Sequence, residues 1–231
     1  MDDAAQDAGT ALLERALGYA LCSVRPVTPQ ALNRPTPCAR WDLRALLWHT
    51  NDSLAALYEG VEHGHVCPER AAPDGDRRPE GDRRPGGDPR PGGGDDPAAV
   101  FRARATRLLG AWAASDGPAD RFVVIDDLPL TAAALVRTGA LEIAVHGWDI
   151  AQATGLPRPV PAALATALMR TARHLVPSPA ARGPLFGPPL TVCAEADPSD
   201  RLVAFLGRDP YGSWRGRERG RAGGGTEERS R

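Results

Sequence analysis

The sequence predicts a mainly α protein with a flexible insertion and a short C-terminal α/β appendage. Three observations carry this prediction. Apolar residues recur at threes and fours through several long segments. A Pro/Gly/Asp/Arg-rich stretch interrupts them between Pro68 and Pro97, and shorter, proline-punctuated sequence follows Pro177. Of the 231 residues 42% are hydrophobic, enough to supply a core. Gly and Pro are unevenly spread, with seven of the 25 Gly and seven of the 23 Pro between Pro68 and Pro97 and five more Gly after Gly212. The folding part is therefore roughly 180 residues, which excludes two large cores. The expected organisation is a helical domain over 5–176, an appendage over 177–211 and a disordered tail over 212–231.

In chain order, the first helix is expected from about Asp7 to Ser23, with Leu12, Ala16, Leu17 and Ala20 on one stripe. Pro26 and Pro29 end it. Pro35-Thr36-Pro37-Cys38 is irregular, because proline disfavours a helical residue before it. A second helix runs from about Asp42 through Tyr58, with Leu43, Leu46, Leu47, Leu54 and Leu57 at helical spacing and Gly60 as its stop. His49 then falls in mid-helix near the packed face. The next stretch, with GDRRPE, GDRRPG and GDPRPG at a six-residue interval, buries too little apolar surface to offset its ordering entropy; a disordered insertion over 68–97 follows. Asp96 and Pro97 suit the start of a third helix. Arg121 to Ile125 reads as an extended connector, Leu130 to Thr154 as a fourth helix ended by Gly155, and Pro161 to about Leu175 as a fifth. A strand at Leu190 to Cys193 and a short helix from Asp200 to Leu206 complete the prediction.

Twenty-eight basic and 29 acidic residues give a net charge of -1, so no global field gathers nucleic acid or an anionic membrane. The basic residues are all arginine. Lysine Schiff-base chemistry, a Walker-type phosphate lysine and a Ser-Lys dyad are thereby excluded. Cys22, Cys38, Cys67 and Cys193 form no CxxC pair, and no apolar run reaches about 20 residues. The expectation is a cytoplasmic protein with reduced thiols, and neither membrane nor nucleic acid as partner.

Glu142 and His146 stand four apart on the fourth predicted helix, so carboxylate and imidazole share a face and can converge on one ion. The same spacing also suits an exposed helix pair or a core histidine bonded to its neighbour. If the second helix faces the fourth, His49 adds a third ligand. A His2Glu set has the number and type of groups of a catalytic divalent site with an open position. The competing reading of His49 is an interfacial histidine satisfied by a carbonyl or by Asp52. Asp149, three residues beyond His146, is the candidate catalytic residue: it can orient the imidazole or accept a proton, unless it is a helix-face charge. Trp48 and Trp148 read as packing residues or pocket walls, Cys38 as a small hydrophobe, His63 and His65 as surface histidines, and His174 as a helix C-terminal residue. Arg208 is a candidate cap or anion-binding group.

Pro35-Thr36-Pro37-Cys38 through Trp41-Asp42-Leu43, Leu46-Leu47-Trp48-His49, Leu141-Glu142-Ile143-Ala144-Val145-His146-Gly147-Trp148-Asp149 and Leu202-Val203-Ala204-Phe205-Leu206-Gly207-Arg208-Asp209-Pro210 together resemble the actinobacterial metal-binding proteins related to mycothiol-dependent maleylpyruvate isomerase, within the DinB-like group. The resemblance implies a four-helix bundle holding a divalent metal, usually zinc, on His49, Glu142 and His146. It also implies mycothiol as cosubstrate, its sulfur adding to a substrate double bond to permit rotation before elimination. The part after Pro177 is too short for the sterol-carrier-like domain of that isomerase, so maleylpyruvate itself is not implied.

The function expected is a metal-dependent, thiol-using transferase or isomerase acting on a small electrophile. The alternatives are a non-catalytic zinc-binding or regulatory bundle and a metal-dependent hydrolase with Asp149 as base.

Overall fold

The computed structural model describes residues 3–38, 41–66, 96–114, 122–125, 128–182 and 186–212. Six α-helices occur among them: α1 (Asp3–Val24), α2 (Leu43–His63), α3 (Pro97–Ala113), α4 (Ala132–Thr154), α5 (Ala162–Leu175) and α6 (Pro198–Phe205). Three short strands accompany them: β1 (His65–Val66), β2 (Phe122–Ile125) and β3 (Leu128–Thr131). Helices α1 to α4 form a four-helix bundle in which α1 packs on α3 and α4, and α2 on the same two helices. Leu13 and Leu17 of α1, Leu46, Leu47 and Leu54 of α2, Phe101 and Leu108 of α3 and Ile143 and Ile150 of α4 fill its interior. Each such side chain contributes about 1.5–3 kcal/mol through removal from water. Helix α5 packs on α4, α1 and α6.

Several helix ends follow from local chemistry. The Asp42 side chain accepts from the Ala45 N–H at the start of α2, and Asp96 accepts from the Ala98 N–H with Pro97 at the first helical position of α3. Gly155 ends α4 in the left-handed conformation at φ +81.

Helix ends and strands differ from the sequence expectation at several places. Gly60 does not stop α2; it lies buried within the helix, where Val66, Val123 and Leu135 crowd the space a Cβ would take, and Gly64, at φ +73, is the actual cap. Helix α4 begins at Ala132 rather than Leu130, because Leu128–Thr131 pairs with Phe122–Ile125 and the Thr131 hydroxyl caps the helix by accepting from the Ala134 N–H. The expected connector is thus the central strand of a sheet ordered β1-β2-β3, with β1 parallel to β2 (Val66 opposite Ile125) and β3 antiparallel to it (Val123 opposite Leu130). Leu190 to Cys193 forms no strand. The segment is tied to α6 through the Leu190 N–H to the Ala204 carbonyl at 2.9 Å, and a helix offers no ladder to extend.

Of the insertion expected over 68–97, Asp96 and Pro97 open α3, and the remainder lies outside the described residues, as does the tail beyond Gly212. No described helix is long and apolar enough to cross a membrane.

Candidate metal centre

Helices α2 and α4 bring His49, Glu142 and His146 together. His49 comes from the second turn of α2; Glu142 and His146 lie one turn apart on α4. Their ligand atoms all fall within 4.8 Å of one another. Glu142 Oε1 is 2.7 Å from His49 Nε2 and 3.1 Å from His146 Nε2, so one carboxylate oxygen sits between two imidazole nitrogens. The rings meet edge to face, their centroids 5.1 Å apart. His146 is buried, whereas His49 and Glu142 are half-buried, which places the group at the margin of the core. Two neutral imidazoles and a carboxylate are the donors of a three-residue divalent site with a further position free. The convergence of these donors on a common volume fits an ion.

A buried polar chain stands behind His146. Its Nδ1–H donates to Asp149 Oδ2 at 3.0 Å, which leaves Nε2 aimed at Glu142. Arg208, just beyond α6, donates to the same Oδ2 at 3.4 Å and to the Leu206 carbonyl at 3.1 Å. Asp149 is wholly buried and Arg208 nearly so.

The charges shift accordingly. Burial opposes ionisation of Glu142, but His146 and His49 beside it outweigh burial and hold the carboxyl well below its usual range. Burial likewise opposes protonation of His146, yet Glu142 and Asp149 raise it to about 9. Arg208 is desolvated, which lowers its pKa, and Asp149 more than restores it, so the guanidinium stays charged.

Trp41 supplies the aromatic wall. Its ring centroid is 4.3 Å from that of His49 and 6.0 Å from that of His146. Trp148 lies in the core and Trp48 is half-buried on α2. Trp41 was not among the site residues that sequence reasoning singled out; its place immediately before the Asp42 cap, at the mouth of the helix carrying His49, is the signal that points to it. Arg208 does cap the end of α6, its backbone N–H donating to the Val203 carbonyl at 2.9 Å, while its guanidinium is engaged by Asp149. Cys38 is a half-buried thiol close enough to Arg208 to interact with it. His63 and His65 are exposed, as is His174, whose Nδ1–H donates to the Arg170 carbonyl at 2.8 Å. Cys67 lies outside the described residues.

Comparison with known proteins identifies a family. The profile of the mycothiol maleylpyruvate isomerase N-terminal domain matches residues 13–151, which include all four bundle helices, apart from the first turns of α1 and the last of α4, and all three converging side chains. Two relatives from Mycobacterium tuberculosis, uncharacterized protein MT0763 of strain CDC 1551 / Oshkosh and uncharacterized protein Rv0738 of strain H37Rv, are each 29% identical over 209 residues, covering 88% of this chain and 93% of the relative. No solved structure matches. The chain belongs to the mycothiol maleylpyruvate isomerase N-terminal domain family, a DinB-like helical group.

Proposed function

We propose that this protein binds a divalent metal, zinc in the first instance, and acts as a transferase or isomerase that joins a low-molecular-weight thiol of the mycothiol type to a small electrophile. The convergence of His49 Nε2, His146 Nε2 and the Glu142 carboxylate carries this reading, and the family's mycothiol-related membership supports it. His49, Glu142 and His146 would hold the ion. When bound, it supplies Lewis acidity that lowers a thiol pKa, so that thiolate forms near neutral pH.

The chain's own residues do the positioning. Asp149 fixes the Nδ1–H form of His146 and Arg208 neutralises Asp149, while Trp41 covers the His49 ring and narrows the approach of water. Asp149 is in this reading a positioning residue and not a base. Its Oδ2 is engaged by both His146 and Arg208, and it lies on the ring side opposite the nitrogen that faces Glu142. That placement disfavours the hydrolase alternative built on it.

Elemental mass spectrometry on the full chain and on His49→Ala, Glu142→Ala and His146→Ala tests the site. The expected result is near-stoichiometric metal that drops sharply in every variant with an unchanged helical circular dichroism spectrum. Metal absent after reconstitution, or retained by all three, removes the site. A screen of small thiols with electrophiles, following loss of free thiol, then separates turnover from the non-catalytic zinc-binding reading.

A further inference from the structure

Away from the metal centre, α5, α6 and the segment 189–192 enclose a surface groove of about 510 Å³. Met169, Val192 and Phe205 give it an apolar lining, while Arg170 and Arg173 of α5 and Arg201 of α6 border it. Arg170 and Arg173 are three apart, hence on one helix face a turn from each other. All three arginines are exposed, and among the described residues none of the three guanidinium groups is held by a carboxylate. Local sequence accentuates the imbalance: no Asp or Glu stands between Asp149 and Glu195, a stretch that carries Arg158, Arg170, Arg173 and Arg182. Asp197, the N-cap residue of α6, and Asp200 in its first turn do not line the groove.

The walls are built rather than incidental. The Leu190 N–H bonds the Ala204 carbonyl at 2.9 Å, holding the extended segment against α6. Buried Arg182 donates to the Gly187 and Phe205 carbonyls at 2.9 and 2.8 Å, and its guanidinium lies 5.0 Å from the Phe205 ring. The concavity therefore has a fixed apolar floor and a rim of exposed guanidinium groups that no carboxylate among the described residues holds. Its volume lies within the usual range of small-molecule sites.

We infer that this groove binds a small amphiphile with an apolar body and an oxyanion head, a carboxylate or a phosphate, whose head is gripped by Arg170, Arg173 and Arg201. Guanidinium forks match both head groups in a bidentate manner, and the floor supplies the burial that an inorganic anion would not use. None of the lining residues is a candidate metal ligand, so the inference stands independently of the proposed function.

Isothermal titration of the full chain with octanoate, octyl phosphate and 1-octanol, each as monomer, tests it. The expected result is saturable one-to-one binding of octanoate or octyl phosphate, the tighter of the two identifying the head group, with 1-octanol at least about tenfold weaker, as loss of a charge-assisted contact requires. Arg170→Gln, Arg173→Gln and Arg201→Gln should each weaken the anion by a similar factor. Arg44→Gln on α2 and His49→Ala should not. Equal binding of 1-octanol, unchanged affinity in all three groove variants, no saturation by about 10 mM, or binding only to anionic phosphatidylglycerol vesicles would each overturn the inference.

Discussion

Asp149 shares one carboxylate oxygen between His146 and Arg208 in the absence of water-exposed surface, so its removal acts on two neighbours at once. Asp149→Asn should keep the fold and lower metal affinity about 10- to 100-fold, measured by competition with a chelating dye, because the amide no longer favours the Nδ1–H form of His146. Arg208→Ala should instead cost about 3 kcal/mol of stability in urea denaturation of metal-loaded protein, where His146 is neutral and the buried Asp149 carboxylate is left without a cation. Equal stability of Arg208→Ala and the parent protein would show that the pair at 3.4 Å contributes little. At this scale the i, i+4 pair of Glu142 and His146 is legible from spacing alone, and His49 from its place on an apolar helix. The reach of Arg208 to Asp149 is not, because it comes from the turn after α6, whose direction depends on packing remote in sequence.

The bundle depends on close helix approaches. Gly147, next to His146, leaves room for α1: a Cβ there would stand 3.1 Å from Ala20 Cα and 3.2 Å from Tyr19 Cε1. The backbone of α1 cannot swing aside as a side-chain tip can. Gly147→Ala should thus destabilise by about 1–3 kcal/mol despite the better helix propensity of alanine. Gly18→Ala, with nothing within 4 Å, should stabilise by about 0.5–1 kcal/mol. Urea midpoints of the two variants, moving in opposite directions, check the distinction. Element ends show the same division. The Asp42, Asp96 and Gly155 caps are readable because they act on their own helix, whereas Gly60 looks like a stop until α4 and the sheet crowd its Cβ position.

Across the whole molecule, the centre ties stability to pH. In metal-free protein His146 titrates at about 9 against an ordinary 6.5. Protons therefore bind the folded state more tightly than the unfolded one, and this contribution is fully present below about pH 6.5 and is lost as pH rises through about 9. The Tm of chelator-treated protein should fall across that window. Metal-loaded protein should lack this fall, because liganded His146 is neutral throughout, and metal affinity should itself increase with pH as the competing proton leaves. A chelator-treated Tm that is flat from pH 6.5 to 9 would contradict the coupling of His146 with Glu142 and Asp149.

What the sequence determined by itself is what local periodicity and capping control: five long helices and a short sixth, the two helices that carry the three converging side chains, and the classes excluded by an all-arginine basic set. These depend on contacts within a few residues, which spacing reports directly. The tertiary structure alone decided that Leu128–Thr131 pairs as a strand instead of beginning a helix, that Leu190–Cys193 has no strand partner among the described residues, and that Arg208 reaches Asp149 across 59 positions of sequence. Strand pairing and buried ion pairs take their energy from partners distant in the chain. No local pattern specifies which partner the packed bundle brings within reach.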